Sequence, residues 1–257
     1  MKRIEDFTII ENKAVDQGSF ILVAQCASRL ENIQPGQFVN MQVPDTQHTF
    51  LRRPISICTF NKENNTIKFY IRKVGNGTEK LSALKVGEKV NMVYPLGNGF
   101  DTDSKSPLLI GGGCGIAPLV LLSQTFAQKG VRATILLGAK SGNLLSLKED
   151  FAGIADVYIS TDDGSMGEKG LVVNHSLLQK VNTFDKIYTC GPTVMMKAVA
   201  KLARENNIPC MVSLENTMAC GVGACLCCVT KTHEGHKCVC TEGPVFDALE
   251  LDEFIDE

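Results

Sequence analysis

The feature that most constrains this chain is a group of cysteines near its carboxyl end. Six of the eleven cysteines lie between Cys220 and Cys240. Cys220, Cys225 and Cys228 have the spacing C-x4-C-x2-C, which together with a later fourth thiolate is typical of proteins that hold a 2Fe-2S cluster. Cys240 is the candidate for the fourth ligand, and Cys238 is its rival. The spacing therefore predicts that this segment folds around a metal centre rather than around a large apolar core.

Two alternatives to this ligand set deserve weight. The glycines of the segment ACGVGAC allow the backbone to curl around a cluster, but zinc also binds cysteines, often together with histidines. His233 and His236 lie in the same segment, so a zinc site, as in a nucleotide sensor without turnover, stays open. Cys227 is a rival third ligand, but it would shorten the second spacing to one residue. We therefore favour Cys228 and a 2Fe-2S cluster.

Charge and hydropathy exclude several classes of protein. Twenty-six Lys and Arg residues against 28 Asp and Glu leave no basic excess, so we expect no nucleic-acid partner. Glu5 and Asp6 interrupt the amino terminus where a secretory signal would be apolar, which predicts a cytoplasmic protein. The stretch from Ser106 to Gln128 has no charge, but glycines and Pro118 at its centre favour a buried strand, turn and helix over a membrane span.

The spacing of apolar residues changes along the chain, which predicts three structural parts. Residues 1–101 alternate in short runs broken by turns, which predicts an antiparallel β-barrel domain. Residues 102–214 alternate strands with helices, which predicts an α/β domain with a parallel sheet. We expect its helices near residues 118–128, 171–180 and 193–206. Residues 215–257 form the small cysteine-rich subdomain.

Two segments of the predicted barrel have the chemistry of a flavin site. In the run Arg53, Pro54, Ile55, Ser56, the guanidinium suits the pyrophosphate of FAD, and the hydroxyl of Ser56 could hydrogen-bond flavin N5 at the reacting centre. A second run, Tyr70-Ile71-Arg72, leads into a glycine turn where Gly77 and Thr78 could offer backbone amides and a hydroxyl to the same phosphates. The alternative is a surface arginine, a strand serine and a glycine-rich hairpin.

Two turns of the α/β part are candidates for binding a nucleotide. Gly111, Gly112, Gly113, Gly115 and Pro118 follow an apolar strand and open a helix, where glycines and helix amides can receive a phosphate. Cys190, Gly191 and Pro192 repeat the arrangement at a later strand end, the edge where parallel sheets bind ligands. Two ordinary strand-to-helix turns are the alternative.

The choice of nucleotide rests on a different loop. Asp162 and Asp163 would repel a 2′-phosphate, and no group of Lys or Arg stands near Ser160 to Ser165 in the sequence, which favours NADH over NADPH.

The order of these motifs resembles the ferredoxin-NADP⁺ reductase superfamily. The closing segment, with MACGVGACLCC and then Cys240-Thr-Glu-Gly-Pro-Val-Phe, resembles the electron-transfer subunits of B-type dihydroorotate dehydrogenases. This resemblance implies FAD, a 2Fe-2S cluster and NAD(H) as substrate. It also implies a separate FMN-containing dihydroorotate dehydrogenase catalytic subunit as partner in pyrimidine biosynthesis, with two copies of each subunit. It assigns FAD contacts to Arg53–Ser56, Tyr70–Arg72, Gly77 and Thr78, and makes Cys240 the fourth ligand.

Another oxidoreductase subunit is the nearest rival. Subunits of sulfide-dehydrogenase-like enzymes and of NADH-dependent ferredoxin:NADP⁺ oxidoreductases share the same order of motifs. On either interpretation a flavin must separate NADH, which gives up two electrons as a hydride, from a cluster that accepts one electron at a time.

Overall fold

Alternating apolar residues give the first part of the chain a seven-stranded antiparallel sheet. The computed structural model describes residues 2–31, 33–44 and 49–255. In strand order the sheet is β4-β3-β7-β1-β2-β6-β5. The strands are β1 (Arg3–Ala14), β2 (Ser19–Gln25), β3 (Phe38–Met41), β4 (Arg53–Ser56), β5 (Thr59–Asn61), β6 (Thr66–Arg72) and β7 (Lys89–Leu96).

This sheet curls until its two edges meet. Strands β4 and β5 lie at opposite edges, although only Ile57 and Cys58 separate them in sequence. The Ile57 N–H donates to the Gln37 carbonyl beside β3, and the Cys58 N–H donates to the Lys68 carbonyl in β6, both at 3.0 Å. The predicted antiparallel barrel is therefore confirmed, and helix α1 (Asn76–Ser82) contributes Leu81 to its apolar core.

The second part of the chain contains the predicted parallel sheet. Six of its strands lie in the order β11-β10-β9-β8-β12-β13 and pair in parallel. They are β8 (Pro107–Gly112), β9 (Ala133–Ala139), β10 (Ala155–Thr161), β11 (Glu168–Lys169), β12 (Lys186–Cys190) and β13 (Cys210–Ser213). Two long helices pack against this sheet: α2 (Ile116–Gln128) and α3 (Thr193–Glu205). Among the described residues no helix is long and apolar enough to cross a membrane.

The helix expected over residues 171–180 is wrong. The chain there forms two 3-10 helices, Val172–Asn174 and Ser176–Thr183. His175 has extended backbone angles between them, and its Nδ1 accepts the Leu177 N–H at 3.0 Å. A side chain that caps a new helix start in this way ends the one before it.

The cysteine-rich part is joined to the parallel sheet. After a hairpin of β14 (Val229–Thr232) and β15 (Gly235–Cys238), strand β16 (Val245–Asp247) adds antiparallel to β13. The Leu214 N–H also donates to the Pro244 carbonyl at 2.9 Å. Helix α4 (Asp252–Ile255) follows. This part is therefore joined to the parallel sheet by backbone pairing, and the domain boundaries at residues 101 and 214 stay a prediction.

The barrel and the parallel sheet share a packed interface. Cys58, Tyr70 and Phe100 of the barrel belong to the same apolar core as Tyr188 and the α2 residues. At its rim, Lys68 Nζ lies 2.5 Å from Asp150 Oδ1. These contacts hold the predicted flavin strands, β4 and β6, close to the predicted nucleotide turns.

Candidate functional site

A cleft of about 410 Å³ opens where the barrel, the parallel sheet and the cysteine-rich part meet. Every residue predicted to contact FAD lines it except Gly77. The barrel contributes Phe38, Arg53, Pro54, Ile55, Ser56, Tyr70, Ile71, Arg72, Val74 and Thr78. The opposite wall consists of Cys114, Ala117, Ser213, Leu214, Glu215, Asn216, Thr217, Met218 and Pro244. Two runs some twenty residues apart in sequence thus face one cleft.

Arg53 and Gly77 lie directly against each other. Arg53 Nη1 donates to the Leu51 carbonyl at 2.7 Å, which fixes the guanidinium. A Cβ built on Gly77 would lie 2.6 Å from Arg53 Nε and 2.8 Å from Nη2, so only glycine leaves room for it. Gly77 also stands in the first turn of α1, whose leading N–H groups have no intrahelical acceptor. A fixed guanidinium beside such amides suits a phosphate group.

The Thr78 hydroxyl makes two hydrogen bonds within the chain. Its Oγ1 accepts the Val74 N–H at 2.9 Å and donates to the Gly75 carbonyl at 3.0 Å. Both bonds close the turn before α1, so this hydroxyl is already used. The backbone N–H of Thr78 is then the group better placed for a phosphate, and the contact of its hydroxyl with phosphate stays a prediction.

The β6 residues reach the cleft in different ways. The Tyr70 hydroxyl lies 3.4 Å from Asp16 Oδ2, and burial raises the pKa of that hydroxyl. Ile71 is 2% exposed and packs in the barrel core, so it can offer the cleft only its backbone. Arg72 is exposed at the cleft wall. On the neighbouring β4, Ser56 pairs with Phe38 of β3, and its role at flavin N5 stays a prediction.

The two predicted nucleotide turns pack backbone to backbone. A Cβ on Gly115 would lie 2.4 Å from the carbonyl carbon and oxygen of Cys190, and one on Gly191 would lie 2.8 Å from the Gly112 oxygen. Gly115 and Gly191 therefore allow the turn after β8 to pack closely against the turn after β12. Gly113 differs, because its φ is +58° and a Cβ there would meet nothing within 4 Å. Gly113 is the glycine whose open side can admit a phosphate.

The remaining members of this set have structural positions. Gly111 is the last residue but one of β8 and lies against the side chains of Leu119 and Ile116. Pro118 lies in the first turn of α2, where the missing N–H has no intrahelical acceptor. Pro192 precedes α3. Cys190 is 1% exposed, and burial raises the pKa of its thiol well above the usual value.

A thiol and a carboxylate that the sequence did not single out meet in the cleft. Cys114 Sγ lies 3.6 and 3.8 Å from the two Glu215 carboxylate oxygens. Burial and then the Glu215 charge raise the pKa of the Cys114 thiol to about 12, so the thiol stays protonated and donates. Among the described residues that line the cleft, Glu215 is the one carboxylate. The pair joins the nucleotide turn to the start of the cysteine-rich part.

The loop at residues 162–165, whose acidic residues favour NADH over NADPH, has one carboxylate in a turn and a lysine beside it. Asp163 is used as a turn cap: its Oδ1 accepts the Ser165 N–H at 2.9 Å and the Ser165 hydroxyl at 2.5 Å. The loop also folds back so that the Lys169 side chain lies near Gly164. Lys169, four residues beyond Ser165, therefore borders the acidic loop. Among the described contacts the Asp162 carboxylate accepts no hydrogen bond within the loop.

The four predicted cluster ligands lie in two contacting pairs. The Cys220 and Cys225 thiols hydrogen-bond each other, and the Cys240 N–H donates to Cys228 Sγ at 3.4 Å. Gly223 N–H donates to Cys240 Sγ at 3.1 Å. Burial acts to raise the pKa of Cys220, but bonds from backbone N–H groups and Cys225 outweigh it and lower the pKa to about 6.

Backbone amides that point at sulfur suit metal-bound thiolates, so these residues fit a cluster. In the described part of the chain no three His, Cys, Asp or Glu side chains are grouped as a metal site, and the ligand roles of the four cysteines stay a prediction.

Cys227 and His233, two of the rival ligands, make contacts outside the thiol pairs. Cys227 is exposed, and its thiol is directed to the Thr217 carbonyl at 3.7 Å. The Cys238 N–H donates to Glu242 Oε2 at 2.6 Å, on the hairpin. His233 Nδ1 lies 3.3 Å from the Glu250 carbonyl. Neither histidine belongs to the thiol pairs, so the geometry gives no support to a zinc site that uses them.

Comparisons with known proteins match both halves of this site. Residues 109–201 match the family described as "Oxidoreductase NAD-binding domain", and residues 215–252 match "Iron-sulfur cluster binding domain of dihydroorotate dehydrogenase B". Together with the barrel and its cleft, they define an NAD-binding oxidoreductase of the ferredoxin reductase type that carries an iron-sulfur domain.

Full-length relatives give the family. The dihydroorotate dehydrogenase B (NAD(+)) electron transfer subunit of Fusobacterium nucleatum subsp. nucleatum is 37% identical over 259 residues, 97% of this chain and 99% of the relative. That of Bacillus cereus strain Q1 is 37% identical over 263 residues, 98% and 99% of the two chains. The chain therefore belongs to the family of electron transfer subunits of dihydroorotate dehydrogenase B.

Solved structures agree with this fold. An NADH-dependent reduced ferredoxin-NADP oxidoreductase superposes with a TM-score of 0.87 at 29% identity, covering 97% of this chain and 91% of that chain. The cytochrome P450 reductase of Amycolatopsis has a TM-score of 0.70 at 22% identity and covers 80% of this chain and 67% of that chain, which shows the fold alone.

Proposed function

We propose that this chain passes electrons between NAD(H) and the FMN of a dihydroorotate dehydrogenase catalytic subunit, through FAD and a 2Fe-2S cluster, in pyrimidine biosynthesis. One observation carries the proposal. The cleft is bordered by the flavin strands, by Cys114 of the nucleotide turn, and by Ser213–Met218, which lead directly to Cys220. The three groups of residues thus face one another within a single site.

The residues of β4, β6 and α1 that line the cleft are the ones we assign to FAD. FAD supplies the conversion of a two-electron hydride donor into one-electron steps. Arg53, with the amides of Gly77 and Thr78, would hold the pyrophosphate, and residues Pro54 to Ser56 would contact the flavin. The Ser56 hydroxyl would be the hydrogen-bond partner of flavin N5. Ile71 would contact FAD through its backbone, and Arg72 would contact it through its charged side chain.

The nucleotide side uses the turns at Gly111–Gly115 and Cys190–Pro192. Gly113 leaves space for the nucleotide phosphates in front of α2, where the helix amides and dipole favour negative charge. The cluster ligands are Cys220, Cys225, Cys228 and Cys240.

Several finer points belong to the same proposal. The partner is a separate subunit, two copies of each form the complex, and the complex works in the cytoplasm. The eleven cysteines, all free, suit a reducing compartment. The parts 1–101, 102–214 and 215–257 are taken as the FAD, NAD and cluster units.

A second candidate is a subunit of a ferredoxin:NADP⁺ oxidoreductase, because the structure of one such enzyme superposes along nearly the whole chain. The experiment that separates them uses the purified chain with whatever co-purifies. We expect FAD, two irons and an FMN-containing partner, and NADH should bleach the flavin anaerobically. Dihydroorotate with the partner should reduce the same flavin. Zinc without flavin, or no response to dihydroorotate, would contradict the proposal.

A further inference from the structure

Asn40 is a buried amide that touches the segment leading to the first cluster cysteine. Its side chain is 0% exposed, and its Nδ2 donates to the Ala219 carbonyl at 3.1 Å. Ala219 immediately precedes Cys220. The other end of the amide, Oδ1, has no hydrogen-bond partner among the described residues. Asn40 therefore bonds the cysteine-rich part from strand β3 of the barrel.

The same residue is fixed to the flavin strand. Asn40 of β3 stands opposite Pro54 of β4 in the sheet register, one position from Arg53. The Asn40 carbonyl also accepts a hydrogen bond from Arg52 Nη1 at 3.2 Å. One residue thus touches the strand proposed to lie along the flavin and the loop proposed to hold the cluster.

The cysteine loop is shaped to fit Asn40. Gly221 has a φ of +71°, and a Cβ there would lie 2.9 Å from Asn40 Nδ2 and 3.1 Å from Leu96 Cδ1. Any larger residue at 221 would have to push the loop away from the barrel. The loop and the amide are therefore in direct contact.

The stability of the fold does not explain why residue 40 is an asparagine. Burying a polar group with an unused acceptor is unfavourable, and an apolar side chain of similar size would fill the same space at a lower cost. Phe38, two residues earlier on the same face of β3, and Leu96, which lies with Asn40 against Gly221, are apolar and buried. The reason for a polar residue is thus its bond to the loop.

We propose that Asn40 is a positioning residue that fixes Cys220 relative to the flavin strand, and so sets the geometry of electron transfer between flavin and cluster. The inference rests on the proposed function and concerns only the chain's own residues. Asn40 contacts neither thiol nor flavin ring in this role; it acts through Ala219 and through β4.

The test uses the full-length protein containing FAD and the cluster. It compares the wild type with two variants, Asn40→Leu and Asn40→Ser, and with a control variant. The leucine keeps the volume but cannot donate, and the serine is too short to reach Ala219. Ser123→Ala is the matched control, because Ser123 is also 0% exposed and its hydroxyl also has no partner among the described residues, but it lies in α2. Three quantities are measured: FAD content, the half-life of the cluster in a chelator, and the electron paramagnetic resonance spectrum of the reduced cluster.

We expect both Asn40 variants to keep FAD and its reduction by NADH. They should lose the cluster about fivefold faster, the effect of one neutral hydrogen bond, with a shifted resonance spectrum. Ser123→Ala should match the wild type in all three measurements. A folded variant at Asn40 with the wild-type half-life and spectrum would overturn the inference. If Asn40→Leu does not fold, Asn40→Ser decides by the same criteria. A wild-type protein without flavin and iron would instead overturn the proposed function.

Discussion

Replacing Gly77 by alanine tests the proposed pyrophosphate site through a single methyl group. The new Cβ would lie 2.6 Å from Arg53 Nε and 2.8 Å from Nη2, well inside van der Waals contact. Because the obstructing atoms belong to the end of a flexible side chain, the guanidinium moves and the backbone does not. Gly77 lies in helix α1, where alanine is the better helix former by about 0.5–1 kcal/mol.

The substitution should therefore have opposite effects on folding and on binding. The flavin-free protein should be as stable as the wild type or slightly more stable. Displacing the guanidinium by about 1 Å should remove a hydrogen bond to a charged group, which contributes about 1.5–3 kcal/mol. FAD affinity should then fall about 10- to 150-fold, since 1.4 kcal/mol is a factor of ten.

The assay is titration of FAD into flavin-free protein by fluorescence, beside thermal unfolding of the same sample. Gly75→Ala is the control, because a Cβ at that position, two residues earlier, meets nothing within 4 Å. It should bind FAD like the wild type. Wild-type affinity in Gly77→Ala would show that the Arg53 guanidinium does not hold the flavin.

Three further changes probe the rest of the site. Arg53→Lys should weaken FAD by about 1.5–3 kcal/mol in the same titration, because a point charge cannot reproduce a bidentate contact; unchanged binding would return Arg53 to a surface role. Gly113→Val should slow flavin reduction by NADH at least tenfold in anaerobic stopped-flow, while reduction through the partner continues. A branched side chain is strained at a φ of +58° and would fill the open face proposed to receive the phosphate. Cys225→Ser should contain FAD but no cluster, and NADH should still bleach its flavin; wild-type electron transfer to FMN would mean that the cluster is only structural.

The pH dependence of one thiol follows from its neighbours. Burial and the Glu215 charge raise the pKa of Cys114 to about 12, so at pH 8 almost no thiolate is present and alkylation by iodoacetamide should be slow. Glu215→Gln removes the charge, lowers the pKa of Cys114 and should speed its alkylation as pH rises from 8 to 10. Peptide mass spectrometry measures the rate, and equal rates in both proteins would contradict the Cys114–Glu215 contact.

The sequence predicted the residues whose role depends on local chemistry. Arg53–Ser56 and Tyr70–Arg72 were grouped because each run has strand alternation and a suitable polar group, and the curled sheet then brings β4 and β6 to one cleft. The C-x4-C-x2-C spacing places Cys220, Cys225 and Cys228 in one short loop, and their role as cluster ligands stays a prediction. Cys240 entered by resemblance, and the Gly223 amide on its sulfur now supports it.

What the sequence could not predict depends on distant pairing. Glu215 and Asn40 have no local signal, because their partners Cys114 and Ala219 lie more than a hundred residues away. The Thr78 hydroxyl looked free until the turn before α1 was seen to use it. Strand β16 is too short to be distinguished from a loop by periodicity, although its pairing with β13 helps to organise the cysteine-rich part.

That pairing also decides how separable the cluster is from the rest of the molecule. The chain leaves the sheet at Leu214 and returns at Pro244, and these two residues are hydrogen-bonded to each other. The segment between them is therefore an insert whose ends lie one strand spacing apart, about 4.8 Å, and a short turn could close the gap. Such a shortened chain would keep its barrel and its parallel sheet, but it would lose Glu215 and Met218 from the cleft together with the cysteines. The insert that brings the one-electron carrier thus also forms a wall of the two-electron site, so neither can be exchanged without rebuilding the other.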